Sequence, residues 1–287
     1  TFALRLKYEL EIFLDAFKPK VLITTFEGYG WERICFNVAK EKEYNTKCIG
    51  YQHTPLSHNN ISAYYRFKKN YNPDLIWCSD KNSYNLLKKK KIKKVLYVGR
   101  FRDKKKNNSK LKKLTNYKNT TCLVVPEGLD GECLKLFKFS INCCEKYKNL
   151  KFIWRLHPIT EKKRILKMLD LKENKLHQNI TISKKQKLTD DLSKSNFVLY
   201  RGSSAVIEAV QKGLIPLYLN SDQHINIDPL KSVINKENYV NTIEDFNLII
   251  ENFKKKKIST SKLLKDFINF DNTNINKNLI ISSLYNG

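Results

Sequence analysis

The sequence contains no run of about 18 to 20 uninterrupted apolar residues, which is the length that a membrane-spanning helix needs. Lys, Asn or Asp interrupts every apolar stretch. The chain also begins with Thr1 rather than Met, and Arg5, Lys7 and Glu9 follow within a helix-like pattern. We therefore expect neither a membrane span nor a signal peptide, and we expect an amino-terminal domain that is truncated.

The cysteine patterns of metal sites and disulfide frameworks are missing as well. The seven cysteines are an odd number, and most stand inside apolar runs without a CxxC or Cys/His metal spacing. Cys143 and Cys144 are adjacent, an arrangement that rarely forms a disulfide or a metal site. We predict reduced core residues in a reducing compartment, and hence a cytoplasmic protein.

Acidic residues are scarce, since 28 Asp and Glu stand against 54 Lys and Arg and the formal net charge is +26. This excess favours anionic partners such as nucleotides, acidic lipids or nucleic acid. Much of it lies in lysine runs at 88–91 and 254–257, which are typical of a solvated surface. Because no nucleic-acid recognition motif is present, a nucleic-acid partner is the less favoured interpretation. Peripheral contact with the acidic inner face of the plasma membrane is compatible with the charge.

What the sequence does contain is an alternation of short apolar runs with segments of helical periodicity. A helical pattern over residues 1–18 ends at Pro19, and a strand-like run follows at once. Further strand-like runs lie at 47–51, 74–78 and 94–99, separated by helical patterns. Such alternation predicts a parallel sheet covered by helices on both faces.

The alternation stops over residues 100–120, where Lys, Asn, Ser and Thr dominate, and it resumes at Cys122. Composition of this kind indicates a linker. We therefore predict an α/β fold with two Rossmann-like domains. The predicted boundaries are residues 1–103 for a partial first domain, 104–120 for the linker and 121–287 for the second domain.

Ligands of an open parallel sheet bind beyond the carboxyl ends of its strands, so the residues that follow each predicted strand are candidates. In the second domain Gly202 allows a close turn, and Ser203 or Ser204 can cap a helix whose free amides attract phosphate. Glu208 follows about one turn later and could accept hydrogen bonds from a ribose hydroxyl. The alternative is an ordinary helix cap with a surface glutamate.

Two further segments follow strands of the second domain. Arg155 and His157 stand two residues apart at a strand end, so their side chains should point the same way and meet one anionic group. Pro158 would fix the turn that follows. This pattern predicts a phosphate clamp. The other segment is Pro126-Glu127-Gly128.

In the first domain Glu27 follows a buried strand within a Gly-containing turn, and His53 follows the next strand. The two side chains could face each other across one cleft, an arrangement that suits general base catalysis. Either group could take a proton from an acceptor hydroxyl. Alternatively, Glu27 caps the helix that begins near Trp31.

The order of these segments resembles glycosyltransferases of the GT-B fold that build bacterial surface carbohydrates. The resemblance rests on Glu27, Gln52-His53, Pro126-Glu127-Gly128, Arg155-x-His157-Pro158 and Gly202-Ser203-Ser204. It covers residues 20–220 and is greatest to bacterial sialyl- and Kdo-transferases and to teichoic-acid glycerophosphotransferases. These families have an acidic-Gly, a His-Pro and a Ser-Ser or Ser-Thr motif, whereas this chain has a single acid before its Gly.

The resemblance implies a nucleotide-activated sugar donor held mainly by the second domain, with CMP as a candidate nucleotide. It also implies a glycan or lipid-linked acceptor presented by the first domain. His157, Ser203 and Ser204 would contact the donor phosphate, and Glu127 and Gly128 its base or ribose. Arg201, in the same loop as the two serines, is a further donor-binding candidate. Either Glu127 or Glu27 could inherit the role of catalytic base, and Asp130 is a third, less favoured choice. No metal ion or other cofactor is implied. A nucleotide-sugar epimerase of the same fold and a non-catalytic nucleotide- or nucleic-acid-binding protein are the alternatives.

Overall fold

A computed structural model describes residues 2–41, 45–56, 59–100, 120–184, 186–221, 225–231, 238–255 and 275–285. The chain divides into two compact units. The first unit consists of Thr1–Lys105 together with Phe270–Gly287, and the second of Lys106–Asn269. Each unit is built on its own parallel sheet.

The first unit has a four-stranded parallel sheet in the order β1-β2-β3-β4. Its strands alternate with helices, as the apolar periodicity predicted. In chain order the elements are α1 (Phe2–Phe17), β1 (Val21–Thr25), α2 (Gly30–Glu41), β2 (Lys47–Gln52), α3 (Ile61–Tyr64), a 3-10 turn (Lys69–Tyr71), β3 (Leu75–Cys78), α4 (Lys81–Lys89) and β4 (Val95–Tyr97).

Local chemistry explains where these elements begin and end. Pro19 cannot continue α1, because it lacks the N–H that an α-helix requires, and Lys18 before it has a left-handed φ of 42°. The buried Asp80 begins α4, where its carboxylate accepts a hydrogen bond from the Ser83 N–H at 2.8 Å.

The last helix, α10 (Lys277–Tyr285), packs on the first unit. Trp77 Nε1 donates a hydrogen bond to Ser283 Oγ at 3.1 Å, and Lys47 Nζ donates to the Ser283 carbonyl at 2.8 Å. Leu279, Ile280 and Leu284 pack against the core residues Ile49, Trp77 and Val98. The predicted second domain runs to residue 287, so the structure corrects that boundary. The reason is that α10 packs its apolar residues on the first unit. The order of residues along the chain does not indicate this contact between distant segments.

The second unit has a six-stranded parallel sheet. Of the predicted linker 104–120, only Thr120 lies within the described residues, and it begins the first strand. In chain order the elements are β5 (Thr120–Val125), α5 (Asp130–Lys146), β6 (Leu150–Trp154), α6 (Lys162–Met168), a 3-10 turn (Glu173–Lys175), β7 (Ile180–Ile182), α7 (Leu188–Leu192), β8 (Phe197–Tyr200), α8 (Ala205–Gln211), β9 (Ile215–Leu219), β10 (Tyr239–Val240) and α9 (Ile243–Lys254).

The strand order of this sheet is β10-β9-β8-β5-β6-β7. The chain runs outward from β5 through β6 to β7 and then returns to the other side of β5 with β8. This is the Rossmann order, and its direction reverses between β5 and β8. In open α/β sheets, ligands bind in the crevice outside the carboxyl ends of the strands at such a reversal. The topology therefore singles out the loops after β5 and β8.

A large apolar cluster supports the second sheet. Phe137 of α5 stacks on Trp154 of β6 with ring centroids 4.2 Å apart, and the Trp154 indole N–H donates to Ser140 Oγ at 2.8 Å. All seven cysteines of the chain are buried and none forms a disulfide, as predicted. Burial raises the pKa of the Cys35 and Cys133 thiols to about 11. Among the described residues, no helix is both long and apolar enough to cross a membrane.

Candidate functional site

The loops after β5 and β8 touch at the point where the strand order reverses. A β carbon added to Gly202 would lie 2.3 Å from Glu127 Oε2 and 2.8 Å from the Glu127 carboxyl carbon. Atoms do not approach this closely without moving, so the carboxylate occupies space that only glycine leaves open. Glu127 and Gly202 are both predicted site residues, and the fold brings them into direct proximity.

Glu127 lies in an environment that disfavours its charged form. Burial raises the pKa of its carboxyl above the ordinary value, and the neighbouring carboxylate of Glu132 raises it further. The cations Arg201 and Lys135 act in the opposite direction without cancelling the rise. A partly buried acid with a raised pKa at a ligand-binding edge is typical of functional sites.

Arg201 has fixed partners beneath this edge. Its side chain is almost fully buried, Nε donates to Glu132 Oε2 at 2.5 Å, and Nη1 donates to the Leu219 carbonyl at 2.6 Å. The guanidinium therefore joins the loop after β8 to the first turn of α5. Sequence reasoning missed Glu132, although an acid in the first turn of a helix that follows a candidate loop was a usable signal.

A second carboxylate, that of the buried Asp228, anchors the segment that lies beside Gly202. Asp228 accepts hydrogen bonds from the Tyr200 hydroxyl at 2.8 Å, from the Tyr239 hydroxyl at 3.0 Å and from the Leu230 N–H at 2.8 Å. The adjacent Ile227 places its Cδ1 2.9 Å from the position of a β carbon on Gly202. Burial raises the pKa of Asp228 despite these donors. Asp228 is not among the residues predicted from the sequence.

His157 lies beside the other glycine of the predicted site. A β carbon on Gly128 would lie 3.2 Å from His157 Nδ1 and 2.4 Å from Ile159 Cδ1. The Ile159 N–H donates to His157 Nδ1 over a long 3.4 Å. Because Nδ1 is the acceptor, the proton of the neutral ring is on Nε2. Nε2 is therefore a hydrogen-bond donor, and the His157 side chain that carries it is exposed. The loops after β5 and β6 thus meet at Gly128.

Arg155 has partners other than the one predicted. Its Nη1 donates to Asp191 Oδ2 at 2.5 Å, and Nη2 donates to the Gln186 carbonyl at 3.1 Å. The carboxylate of Asp191 is almost fully buried and also accepts from Ser183 Oγ at 2.6 Å. The predicted clamp pairs Arg155 with His157 on one anion, whereas the structure gives the guanidinium its own carboxylate. The reason is a buried acid 36 residues further along the chain, whose charge requires a cation.

The segment after Gly202 enters α8 with little side-chain capping. Ser203 is buried, and its Oγ accepts from the Ala205 N–H over 3.4 Å. Ser204 occupies the N-cap position, makes no side-chain cap hydrogen bond and is exposed. Glu208 lies in the first turn of α8 and is half-buried. The predicted contacts of these three residues with phosphate and ribose stay predictions.

In the first unit, a buried glutamate organises the loop after β1. Glu32 of α2 is 1% exposed, and its Oε2 accepts hydrogen bonds from the N–H groups of Glu27 at 2.9 Å, Gly28 at 2.7 Å and Tyr29 at 2.9 Å. Burial raises its pKa, and these backbone donors lower it less. It is therefore Glu32, not Glu27, whose carboxylate satisfies the amides at the start of α2. Glu27 is therefore not the side chain that caps α2, which was the alternative interpretation.

The side chain of Glu27 instead meets the residues that follow β2. Its Oε1 lies 3.6 Å from His53 Nε2 and accepts a short hydrogen bond from the Thr54 hydroxyl. The Glu27 side chain is mostly buried, while that of His53 is 45% exposed. The predicted proximity of Glu27 and His53 is thus present within the first unit, although their chemical role stays a prediction. Thr54 is a partner that sequence reasoning did not name.

Gly28 and Arg33 hold this loop against α3. Gly28 has a φ of 85°, and a β carbon there would lie 2.0 Å from the Ser62 carbonyl oxygen. The buried Arg33 donates from Nη2 to the carbonyls of Ser62 at 2.5 Å and Tyr65 at 3.0 Å. Its guanidinium also lies 4.5 Å from the centroid of the Phe67 ring. The backbone that carries Glu27 is therefore rigidly placed.

Within the described part of the chain, no group of three or more His, Cys, Asp or Glu side chains is arranged so that it could hold a metal ion. The ionisable residues of the candidate site pair instead with Arg, Thr and backbone N–H partners.

No family model and no curated protein matches the chain, but solved structures do. UDP-GlcNAc 2-epimerase from Neisseria meningitidis bound to UDP-GlcNAc is 16% identical, with a TM-score of 0.58 over 99% of this chain and 81% of that one. MurG of Acinetobacter baumannii is 9% identical, with a TM-score of 0.60 over 98% and 77%. The glycotransferase of kitacinnamycin is 8% identical, with a TM-score of 0.59 over 92% and 76%.

These similarities establish the fold. At such low identity they carry no statement about the substrate or reaction of this chain. The predicted α/β architecture with two Rossmann-like sheets of the GT-B kind is confirmed by the parallel topology and by these structures.

Proposed function

We propose that this chain is a glycosyltransferase that binds a nucleotide-activated sugar at the carboxyl edge of the six-stranded sheet. The observation that carries the proposal is the contact between Glu127 and Gly202 at the reversal of strand order between β5 and β8. Rossmann sheets bind nucleotides at this position. A partly buried acid with a raised pKa, a glycine at close approach and the nearby His157 are groups that suit a sugar nucleotide.

Each group has a distinct part in holding the donor. His157 Nε2 donates to a phosphate oxygen, and Ser203, Ser204 and the free amides before α8 add neutral donors. The carboxylates of Glu127 and Glu208 accept hydrogen bonds from hydroxyl groups of the ribose or the sugar. Arg201, being buried on Glu132, acts by positioning the loop after β8 rather than by contacting the ligand.

The transfer step requires a base for the acceptor hydroxyl, and in this proposal Glu27 is that base. As the acceptor oxygen forms its bond to the anomeric carbon, Glu27 takes the hydroxyl proton, and the bond to the nucleotide phosphate breaks with its electron pair on the phosphate. Thr54 and His53 orient the carboxylate. Donors at the phosphate stabilise the leaving charge, so the proposal invokes no metal ion or cofactor.

A nucleotide-sugar epimerase is the second candidate, since the Neisseria enzyme with the same fold was solved with UDP-GlcNAc. Such an enzyme needs no acceptor. An acceptor glycan, a lipid-linked acceptor and peripheral contact with an acidic membrane surface belong to the transferase proposal, as does a part in surface-polysaccharide assembly.

Nucleotide binding is the first test. Purified chain is titrated calorimetrically with UMP, UDP, CMP, CDP, GDP and ADP, and His157→Ala is compared with His177→Ala. His177 is a matched control, because its Nδ1 also accepts from an N–H two residues later, at 3.2 Å, but it precedes β7 at the opposite edge of the sheet. We expect about tenfold or greater weakening for His157→Ala, since hydrogen bonds to charged groups contribute about 1.5 to 3 kcal/mol. Equal affinity in both variants would refute the assignment of His157.

The reaction is tested with the sugar nucleotide of whichever base binds. Incubation in D₂O without an acceptor, followed by NMR, detects epimerisation at C2 as deuterium incorporation there. A transferase leaves C2 unlabelled and releases nucleotide when an acceptor glycan is added. Binding without either change would identify a non-catalytic nucleotide-binding protein.

A further inference from the structure

The first unit contains a cavity of about 620 Å³ that no proposed catalytic residue lines. It lies at the amino edge of the sheet, since Lys47 and Leu75 begin β2 and β3, and Lys94 directly precedes β4. Glu27 and His53 follow the other ends of β1 and β2. A six-residue strand such as β2 is about 16 Å long, so the cavity is separate from this pair.

Most residues that line the cavity are polar, and lysine is the most frequent of them. Four lysines line it, namely Lys40, Lys47, Lys69 and Lys94, against a single acid, Asp74. Asn45, Thr46 and Asn70 add polar groups, and only Ala39 and Leu75 are apolar. At neutral pH lysines are cationic and Asp is anionic, so the lining carries a net charge of three positive units.

Two of the lysines are held in place by the fold. Lys40 Nζ donates to Asp74 Oδ1 at 2.6 Å and to the Asn72 carbonyl at 2.8 Å. Lys47 Nζ donates to the Ser283 carbonyl of α10 at 2.8 Å. Asp74 itself is fixed, because its Oδ2 accepts from the Cys48 N–H at 2.8 Å. The acid is therefore engaged by Lys40 and by the backbone.

The side chains of the other two lysines, Lys69 and Lys94, are not held in this way by partners in the described part of the chain. Considering only the residues that the structure describes, the side chains of Lys69 and Lys94 make no hydrogen bond and no ion pair. Both side chains are exposed. Positive charges gathered around a concave surface concentrate anions there, and ammonium groups bind phosphate as point charges.

We propose that this cavity is a binding site for a small polar anion carrying at least two negative charges on phosphate groups. Its volume falls within the range of about 300 to 1,000 Å³ that small-molecule sites occupy. Two kinds of ligand carry such phosphate groups, namely a soluble metabolite and a lipid headgroup.

The test uses inorganic pyrophosphate as the probe and lysine reactivity as the readout. The intact chain, saturated with whichever nucleotide binds the second unit, is acetylated with an amine-reactive ester with and without pyrophosphate, and each lysine is quantified by mass spectrometry. We expect protection of Lys69 and Lys94 by at least threefold, with Lys151 and Lys194 of the second unit unprotected. Equal protection of all four lysines would show nonspecific screening and overturn the site.

Calorimetry with variants gives the second readout. The double variant Lys69→Gln, Lys94→Gln should bind pyrophosphate at least tenfold more weakly than the wild-type chain. The double variant Lys151→Gln, Lys194→Gln removes the same charge from exposed positions and should bind like the wild type. Undiminished binding by the first double variant would refute the proposal, whatever nucleotide binding shows.

Vesicles separate the two sources of phosphate. If vesicles of cardiolipin, whose headgroup carries two phosphates, protect Lys69 and Lys94 and soluble pyrophosphate does not, the ligand is a headgroup at a membrane surface. If pyrophosphate protects them and vesicles do not, it is a soluble metabolite. Protection by neither overturns the proposal.

Discussion

A side chain at Gly202 would have to displace the carboxylate of Glu127, because a β carbon there would lie 2.3 Å from Glu127 Oε2. The two residues are 75 positions apart in the chain and meet because β5 and β8 are adjacent strands. The contact links the acid of one loop to the turn of the other. It also makes the geometry of the candidate nucleotide site sensitive to a single methyl group.

Gly202→Ala should therefore displace the Glu127 carboxylate and weaken nucleotide binding by about tenfold or more, with a modest loss of stability. Calorimetric titration with the nucleotide that binds the wild-type chain measures the effect. Gly131→Ala is the matched control, since Gly131 lies in the first turn of α5 and a β carbon there meets nothing within 4 Å. Unchanged nucleotide affinity in Gly202→Ala would remove the loop after β8 from the proposed site.

Glu127→Gln should increase stability near neutral pH while weakening nucleotide binding. The folded chain raises the pKa of Glu127 through burial and through the charge of Glu132. A raised pKa means that folding favours the protonated form, so the contribution to stability is present at low pH and is lost as pH rises through the folded-state pKa. Glutamine removes the ionised carboxylate that causes this loss.

Urea unfolding at several pH values between 5 and 8 tests the sign of this effect. The variant should be more stable than wild type at pH 8, and the difference should shrink as the pH falls towards the ordinary glutamate value of 4.5. A variant that is less stable than wild type at pH 8 would contradict the raised pKa.

Glu27→Gln should reduce turnover by about 10²-fold to 10⁴-fold, the usual contribution of a general base. Nucleotide affinity should be unchanged, because Glu27 belongs to the first unit and the proposed donor site to the second. Turnover is measured as nucleotide release with an acceptor present. Glu9→Gln provides the control, since Glu9 is an exposed acid of α1 paired with Arg5. Wild-type turnover in Glu27→Gln would assign the base elsewhere.

Gly28→Ala should destabilise the first unit by about 2 kcal/mol or more. A left-handed φ costs a residue with a β carbon about 1 to 2 kcal/mol, and the new carbon would also meet the Ser62 carbonyl oxygen at 2.0 Å. Gly30→Ala, two residues later, has open space around the new carbon and should be neutral or stabilising by up to about 1 kcal/mol. Denaturant unfolding of both variants decides whether the turn is as constrained as its backbone indicates.

Much of the fold is encoded in local patterns. Apolar runs and helical periodicity predicted the first strand after Pro19, the helix that follows it, and the strands that became β5 and β8. The pattern of apolar side chains along a strand or helix depends only on residues that are close in sequence. It can therefore be recognised without knowing the fold. The strand β10 was missed because two residues are too short to show a period.

The partners of charged residues were harder to predict from the sequence. Arg155 and Arg201 were predicted to bind the donor, and the structure pairs them with the buried Asp191 and the partly buried Glu132. Each ion pair joins residues more than 30 positions apart. No spacing rule connects such residues, because their proximity follows from how strands are ordered and helices packed.

The sequence by itself determined that this chain is an α/β protein with candidate polar loops after successive strands, because period and composition are local. Only the tertiary structure decided the order of the strands, the contact between Glu127 and Gly202, the place of α10 on the first unit and the cavity lined by lysines. Each of these depends on which distant segments bury apolar surface against each other, and that choice is made by the whole chain.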